Sequence, residues 1–311
     1  MADQSTYEDP IKSLLDDVLP ERANELVALL NQHTAQFRAL EDQSGFNLQA
    51  GAYGAIQYTE RSFRQLWLFG YGGMIALHCY SSFIAILRDN GRNLCISHID
   101  AIPGQSETNQ IFCRLMQAIE ELKTSLGEAD FVWPETIPAP QDGRSEDAER
   151  ALVFDLICVA ATYIILHELK HVVFQSEGNV PMDPWKEECA CDAFAQEMIL
   201  GQIKIYSEQS GFPEAKVKEK RAMGIALAII FILFITPKRL VCGSVTHPSI
   251  HARWLGVIRN IDLKGDGHFW LYFSSLALSV LRYKGVDVLP IAFDSYKDLS
   301  CKLVQTLENA I

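Results

Sequence analysis

His167 and His171 stand four residues apart in the run His167-Glu168-Leu169-Lys170-His171. A helix takes about 3.6 residues per turn, so both imidazoles project from one face. Two nitrogens in that register can reach a single Zn²⁺ at about 2.0–2.1 Å. Glu168, beside His167, falls on the helix flank, where a carboxylate can take a proton from water and later return it to a leaving amine. The flanks strengthen the reading. Val159 to Leu166 is almost wholly apolar, and so is Val172-Val173-Phe174. These flanks force the polar group into an interior, where burial is costly unless the groups are paired or bind a metal. They argue against the alternative, two surface histidines on an amphipathic helix.

A catalytic zinc needs a third protein ligand and an open position. Downstream, Lys186-Glu187-Glu188-Cys189-Ala190-Cys191-Asp192 puts Glu188 and Asp192 four apart, again on one helical face. The spacing matches the Glu-x-x-x-Asp arrangement of gluzincins. That likeness assigns Glu188 as the third zinc ligand and Asp192 as acceptor from the far nitrogen of a ligand histidine. Glu187 is the competing ligand. It points about 100° away from Glu188 and has no acid at i+4, so Glu188 is preferred. The pair Cys189-x-Cys191 reads as two small packed residues, because a one-residue gap on a helix splays the thiols about 200° apart.

The stretch from Ile157 through HELKH to Phe174, then Lys186 to Gly201, resembles the core of the Lit peptidases, the phage-exclusion proteases of bacteria. The likeness continues through Lys220 to Ala226 and Thr246-His247-Pro248, covers residues 150–260 well, and is weaker at Gly45-Phe46-Asn47 and Trp133-Pro134. It implies a zinc endopeptidase of the gluzincin type with one Zn²⁺ per chain. It also implies that translation elongation factor Tu is the substrate and that a phage-derived polypeptide is the activator. His247-Pro248, with Arg253 six residues after the histidine, is similar to the His-Pro…Arg of CAAX prenyl proteases. There the histidine stabilises an oxyanion and the arginine supports the site. Such a donor contributes about 3–4 kcal/mol. The competing reading of His247 is a residue ahead of a helix that has Pro248 in its first turn.

The elements that must position these residues are mostly helical. Helices are expected over residues 10–40, over 60–88 as one or two, over 108–126 and from Asp147 to about Phe174. Further helices are expected over 184–200, through the apolar run Ala222–Ile235, and near 249–260, 268–283 and 292–310. Gly45 to Tyr58 reads as a short hairpin. The fold class is therefore mainly α, with a small sheet in the N-terminal half and a zincin-like helical metallopeptidase core. Residues 135–149, rich in proline and acid, read as a linker between a region at 1–134 for substrate or trigger recognition and the metallopeptidase core at 150–311.

Composition bounds the partners. The 311 residues carry a formal charge of −12, which disfavours nucleic acid and anionic lipid. Eight scattered cysteines and a non-apolar N-terminus point to free thiols in the cytoplasm. The 14-residue run Ala222–Ile235 would rise about 21 Å as a helix, too short for a hydrocarbon core of about 30 Å, and reads as a core helix, not a membrane span. A non-hydrolytic zinc-containing sensor is the alternative from another class. It has no need of Glu168.

Overall fold

The computed structural model describes residues 10–125, 127, 130–244 and 247–309. Its centre is a 30-residue helix, α6 (Ala148–Glu177), whose first turn is capped by the Asp147 carboxylate accepting from Arg150 N at 2.9 Å. Gly178 closes it in the left-handed conformation that glycine adopts without cost, φ 66°. Helix α6 is apolar on nearly every side because α3 (Glu60–Asp89), α7 (Pro184–Leu200) and α9 (Glu214–Ile235) surround it. Two of these approaches are close. A Cβ on Gly70 of α3 would lie 2.3 Å from Ile157 Cγ1, and one on Gly224 of α9 would lie 2.4 Å from Val159 Cβ.

Helix α3 runs unbroken for 30 residues from its cap, Thr59, which accepts from Ser62 N. Its glycines do not interrupt it. They let neighbours in: a Cβ on Gly72 would meet Met116 Cε at 2.6 Å. Met116 belongs to α5 (Gln105–Thr124), which follows the short α4 (Ile96–Asp100). The apolar run Ala222–Ile235 forms the second half of α9 and is buried between α6 and α11 (His268–Tyr283). Helices α8 (Ile203–Ser210), α10 (Ile250–Arg259) and α12 (Tyr296–Asn309) complete that side.

Residues 10–40 are not all helical. After α1 (Pro10–Val18) and α2 (Ala23–Gln32), Thr34 takes a left-handed φ of 49°, and the chain turns into strand β1 (Gln36–Ala39). The expected hairpin is present as β2 (Leu48–Ala50) and β3 (Ala55–Tyr58), which pair antiparallel, while β1 pairs with β3 in parallel. The order β1-β3-β2 leaves β2 at an edge, packed on α6. The fold is thus mainly helical with one small sheet in the N-terminal half. Residues from Ile11 to Leu307 contribute to one continuous apolar core. Helices α3 and α6 are long and apolar enough to cross a membrane, but 72% of the α6 window is buried in this core.

Candidate active site

Helices α6 and α7 pack against each other and bring the two motifs together. His167 and His171, one turn apart, aim their Nε2 atoms at a common point and lie 3.3 Å from each other there. The Glu188 carboxylate faces the same point, with Oε2 3.4 Å from His167 Nε2 and Oε1 3.5 Å from His171 Nε2. A tetrahedral ion bound at about 2.0–2.1 Å separates its ligands by about 3.3–3.4 Å, so these three spacings fit the edges of a zinc site.

The far nitrogens are also accounted for. His167 Nδ1 lies 2.9 Å from Asp192 Oδ1, and His171 Nδ1 lies 2.7 Å from Glu187 Oε1. Each Nδ1–H therefore has a carboxylate acceptor, which leaves the Nε2 lone pairs directed at the shared point. Glu187, the competing ligand of the sequence reading, is placed on His171 Nδ1 and not at the centre. The Asp192 carboxylate further accepts from Tyr163 Oη at 3.0 Å and from Arg253 Nε and Nη2 at 2.8 and 2.7 Å. Arg253 comes from α10, whose first turn is set by Ser249 Oγ accepting from Ala252 N. That arginine thus ties a third helix to the pair.

The electrostatics are those of a cation site. Burial opposes charge on His167, but its hydrogen bonds to Asp192 and Glu188 outweigh it and raise its pKa to about 9. Burial likewise opposes charge on His171, and Glu188 and Glu187 together raise it to about 9. Burial would raise Glu188 and Asp192, yet His167, His171 and Arg253 hold Glu188, and Arg253 and His167 hold Asp192, well below the usual carboxylate range. These carboxylates stay ionised in the interior and invite a positive partner.

Cys191, set aside in the sequence as a small packed residue, lies close to the imidazole pair. His167, His171 and Cys191 offer ligand atoms that all lie within 4.8 Å of one another, so this group too could hold a metal ion. Glu188 differs from Cys191 as a third donor in two respects. Its oxygens sit at ligand spacing from both imidazoles, and it lines the open cleft, whereas Cys191 does not. Burial pushes the Cys191 thiol up to about 12. Cys189 is exposed while Cys191 is buried, and all eight cysteines are free.

The cleft holds about 360 Å³ and is lined on one side by His167, Glu168, His171 and Glu188, and on the other by Leu48, Gln49 and Ala50 of β2. Gly51 N donates to Ala55 O and Thr59 N to Asn47 O, so the ladder runs through alternate residues, and the Leu48 and Ala50 backbones turn away from β3. Ala50 N–H donates to Glu168 Oε2 at 2.6 Å. The sequence reading did not anticipate that contact, which joins residues 118 apart. His247 borders the cleft with Nε2 3.5 Å from Glu188 Oε1, and Ser244 Oγ accepts from its backbone N–H at 3.0 Å. Thr246 lies outside the described residues.

A model of the peptidase U49 family matches residues 56–273, most of the chain and all of the α6–α7–α10 site. The chain belongs to the peptidase U49 family, that of the Lit peptidases. Among curated proteins, this U49 member is 29% identical over 121 residues to the "Cell death peptidase" of Escherichia coli (strain K12). The alignment spans 39% of this chain and 38% of that relative's length. No solved structure matches the chain. Strand β2, which forms the far wall of the cleft, precedes the matched span of this U49 protein.

Proposed function

We propose that this chain is a zinc endopeptidase of phage defence that acts in the cytoplasm. On this reading it cuts an intracellular protein, translation elongation factor Tu, when a phage-derived polypeptide triggers it. The observation that carries the peptidase part is the convergence of His167 and His171 Nε2 with the Glu188 carboxylate, each Nδ1 held by its own acid. Family membership supports peptide hydrolysis. Substrate and trigger rest on the resemblance to Lit peptidases, and the eight free thiols support a reducing compartment.

His167, His171 and Glu188 would hold the ion. Zinc bound there supplies Lewis acidity to a scissile carbonyl and to a water. Glu168, half-buried at the cleft wall, has one carboxylate oxygen fixed by Ala50 N–H. Its other oxygen is left to take a proton from water and pass it to the leaving amine. The His247 imidazole, at the opposite rim, is placed to donate to a developing oxyanion. Arg253 and Tyr163 hold Asp192, and Asp192 holds His167, so the ligand ring is fixed before substrate arrives. The outer edge of β2 offers the Leu48 N–H and C=O and the Ala50 C=O to an extended substrate segment, which binds by adding a strand, while the Ala50 N–H stays on Glu168.

The test is incubation of purified protein with zinc and elongation factor Tu, with and without phage lysate. Wild type is expected to produce discrete fragments in the presence of lysate. Glu168→Gln is expected to retain one zinc per chain yet lose about 10²–10⁴-fold in rate. A Glu168→Gln protein that arrests growth as well as wild type would point to the non-hydrolytic sensor instead. Absence of cleavage under every condition would remove elongation factor Tu as substrate.

A further inference from the structure

Two grooves lie outside the cleft and meet at Pro290, which lines both. One, of about 500 Å³, is walled by the ends of α9, α11 and α12 and includes Leu281, Val286, Leu289 and Ile291. The other, of about 550 Å³, is walled by the end of α3 and by α4 and includes Phe83, Ile86, Leu87 and Ile102. A single antiparallel bridge, Leu94 to Ile291, runs between them. The rims expose large apolar side chains that a monomer normally covers: Leu289 at 69%, Ile86 at 58% and Ile102 at 37%.

The charges along these grooves run against the rest of the molecule. The chain as a whole carries −12. Yet Lys238 and Lys284 line one groove and Arg92 the other, against one carboxylate, Asp287. Among the described residues, Arg92 and Lys238 make no ion pair with a carboxylate, whereas Lys284 feels the Glu120 carboxylate. Lys284 donates only to backbone, to Phe234 O at 2.6 Å and Thr236 O at 3.4 Å. By contrast, the neighbouring Arg88 and Arg282 are each paired, with Asp266 and Asp100. Part of the face, from Leu281 onward, lies beyond the span the family model matches.

We infer that this double groove is a docking face for an amphipathic, acidic segment of a partner polypeptide. Its apolar side chains would fill the grooves, and its carboxylates would meet the exposed Arg92 and Lys238. A helix with one apolar and one acidic face has the required pattern. The inference does not depend on catalysis at the zinc site. The face does, however, share a wall with it: Lys238 and Val241 line this groove, and the intervening Leu240 lines the apolar pocket beside His247.

Fluorescence anisotropy of the full chain with labelled peptides of about 18 residues tests it. One peptide carries leucine at helical spacing with glutamate elsewhere, and the second replaces every glutamate by lysine. The long-range field of a −12 protein favours the lysine peptide, so only a local site can reverse the order. The expected result is saturable binding of the glutamate peptide at least about tenfold tighter than the lysine peptide. Arg92→Glu/Lys238→Glu should abolish the preference, and Ile86→Asp/Leu289→Asp should abolish binding. All four substituted side chains are exposed, so both variants should fold. Equal or lysine-favoured binding, no saturable binding, or variants that bind like wild type would overturn the inference. So would a dimer in sedimentation that Ile86→Asp/Leu289→Asp splits, since the face would then be filled by a second copy.

Discussion

Glu187 and Glu188 are neighbours in sequence, and a helical step of about 100° sends them to different ends of the same imidazole pair. Glu188 meets both Nε2 atoms, and Glu187 meets His171 Nδ1. Their substitutions should therefore differ in size. Glu187→Gln keeps an oxygen acceptor for His171 Nδ1–H and loses only charge, so zinc affinity should fall by about 10–100-fold. Glu188→Ala removes the donor group itself and should cost more than that. Competition with a chromogenic chelator measures both. If Glu187→Gln proves the more damaging, Glu187 is the ligand and the assignment here is wrong. Cys191→Ala supplies the third comparison. If Glu188 is the donor, the zinc affinity of Cys191→Ala should stay within about threefold of wild type, because a buried thiol outside the cleft then acts only as a small apolar side chain. A collapse of binding there would favour the His167, His171 and Cys191 group.

At the scale of elements, α6 is held between glycines on its two neighbours, and this fixes where the histidines sit. A Cβ at position 224 would lie 2.4 Å from Val159 Cβ, nearer than side chains tolerate. Two effects then oppose each other in Gly224→Ala. Alanine favours the helix by roughly 0.5–1 kcal/mol over glycine, while overpacking costs about 1–3 kcal/mol. The net change should be destabilising in urea unfolding, and Val159→Gly, which removes the Cβ that is met, should cost less in the Gly224→Ala chain than in wild type, a coupling that independent sites do not show. A stabilised Gly224→Ala would mean that α6 and α9 pack less tightly than described. These glycines also show what the sequence leaves unread. Gly70, Gly72 and Gly73 look like breaks in a helical pattern, whereas α3 runs through them because Ile157, Met116 and Tyr272 occupy the space a Cβ would take. That His167 and His171 share a face, as do Glu188 and Asp192, was legible, because i and i+4 spacing is a local property of one helix. The contact of Ala50 N–H with Glu168 was not, because it joins a three-residue edge strand to a helix far along the chain. Nor was β1: no pattern in Gln36–Ala39 says that it will pair in parallel with β3.

For the molecule as a whole, the question is how far folding depends on the metal. The core runs continuously from Ile11 to Leu307 and buries large rings such as Trp254, Trp270 and Phe112 away from the site. A chain with a core of that extent does not need an ion to fold, unlike small zinc-dependent domains that unfold without it. The ion should still add stability by mass action, because the site gathers Glu187, Glu188 and Asp192 around two imidazoles and a single guanidinium. At free zinc about 100 times the dissociation constant, linkage gives about 2.7 kcal/mol. For domains of about 150–250 residues, each kcal/mol moves the melting temperature by roughly 2–4 °C. Stripping zinc with a chelator should thus lower Tm by several degrees, leave the far-UV helical signal at 25 °C unchanged, and be reversed by adding zinc back. In Glu188→Ala the chelator should have almost no effect on Tm, since the metal-dependent increment is already lost. Unfolding of wild type on chelation would show that the α6–α7 pairing depends on the ion. A Tm indifferent to zinc would show that these side chains do not bind it.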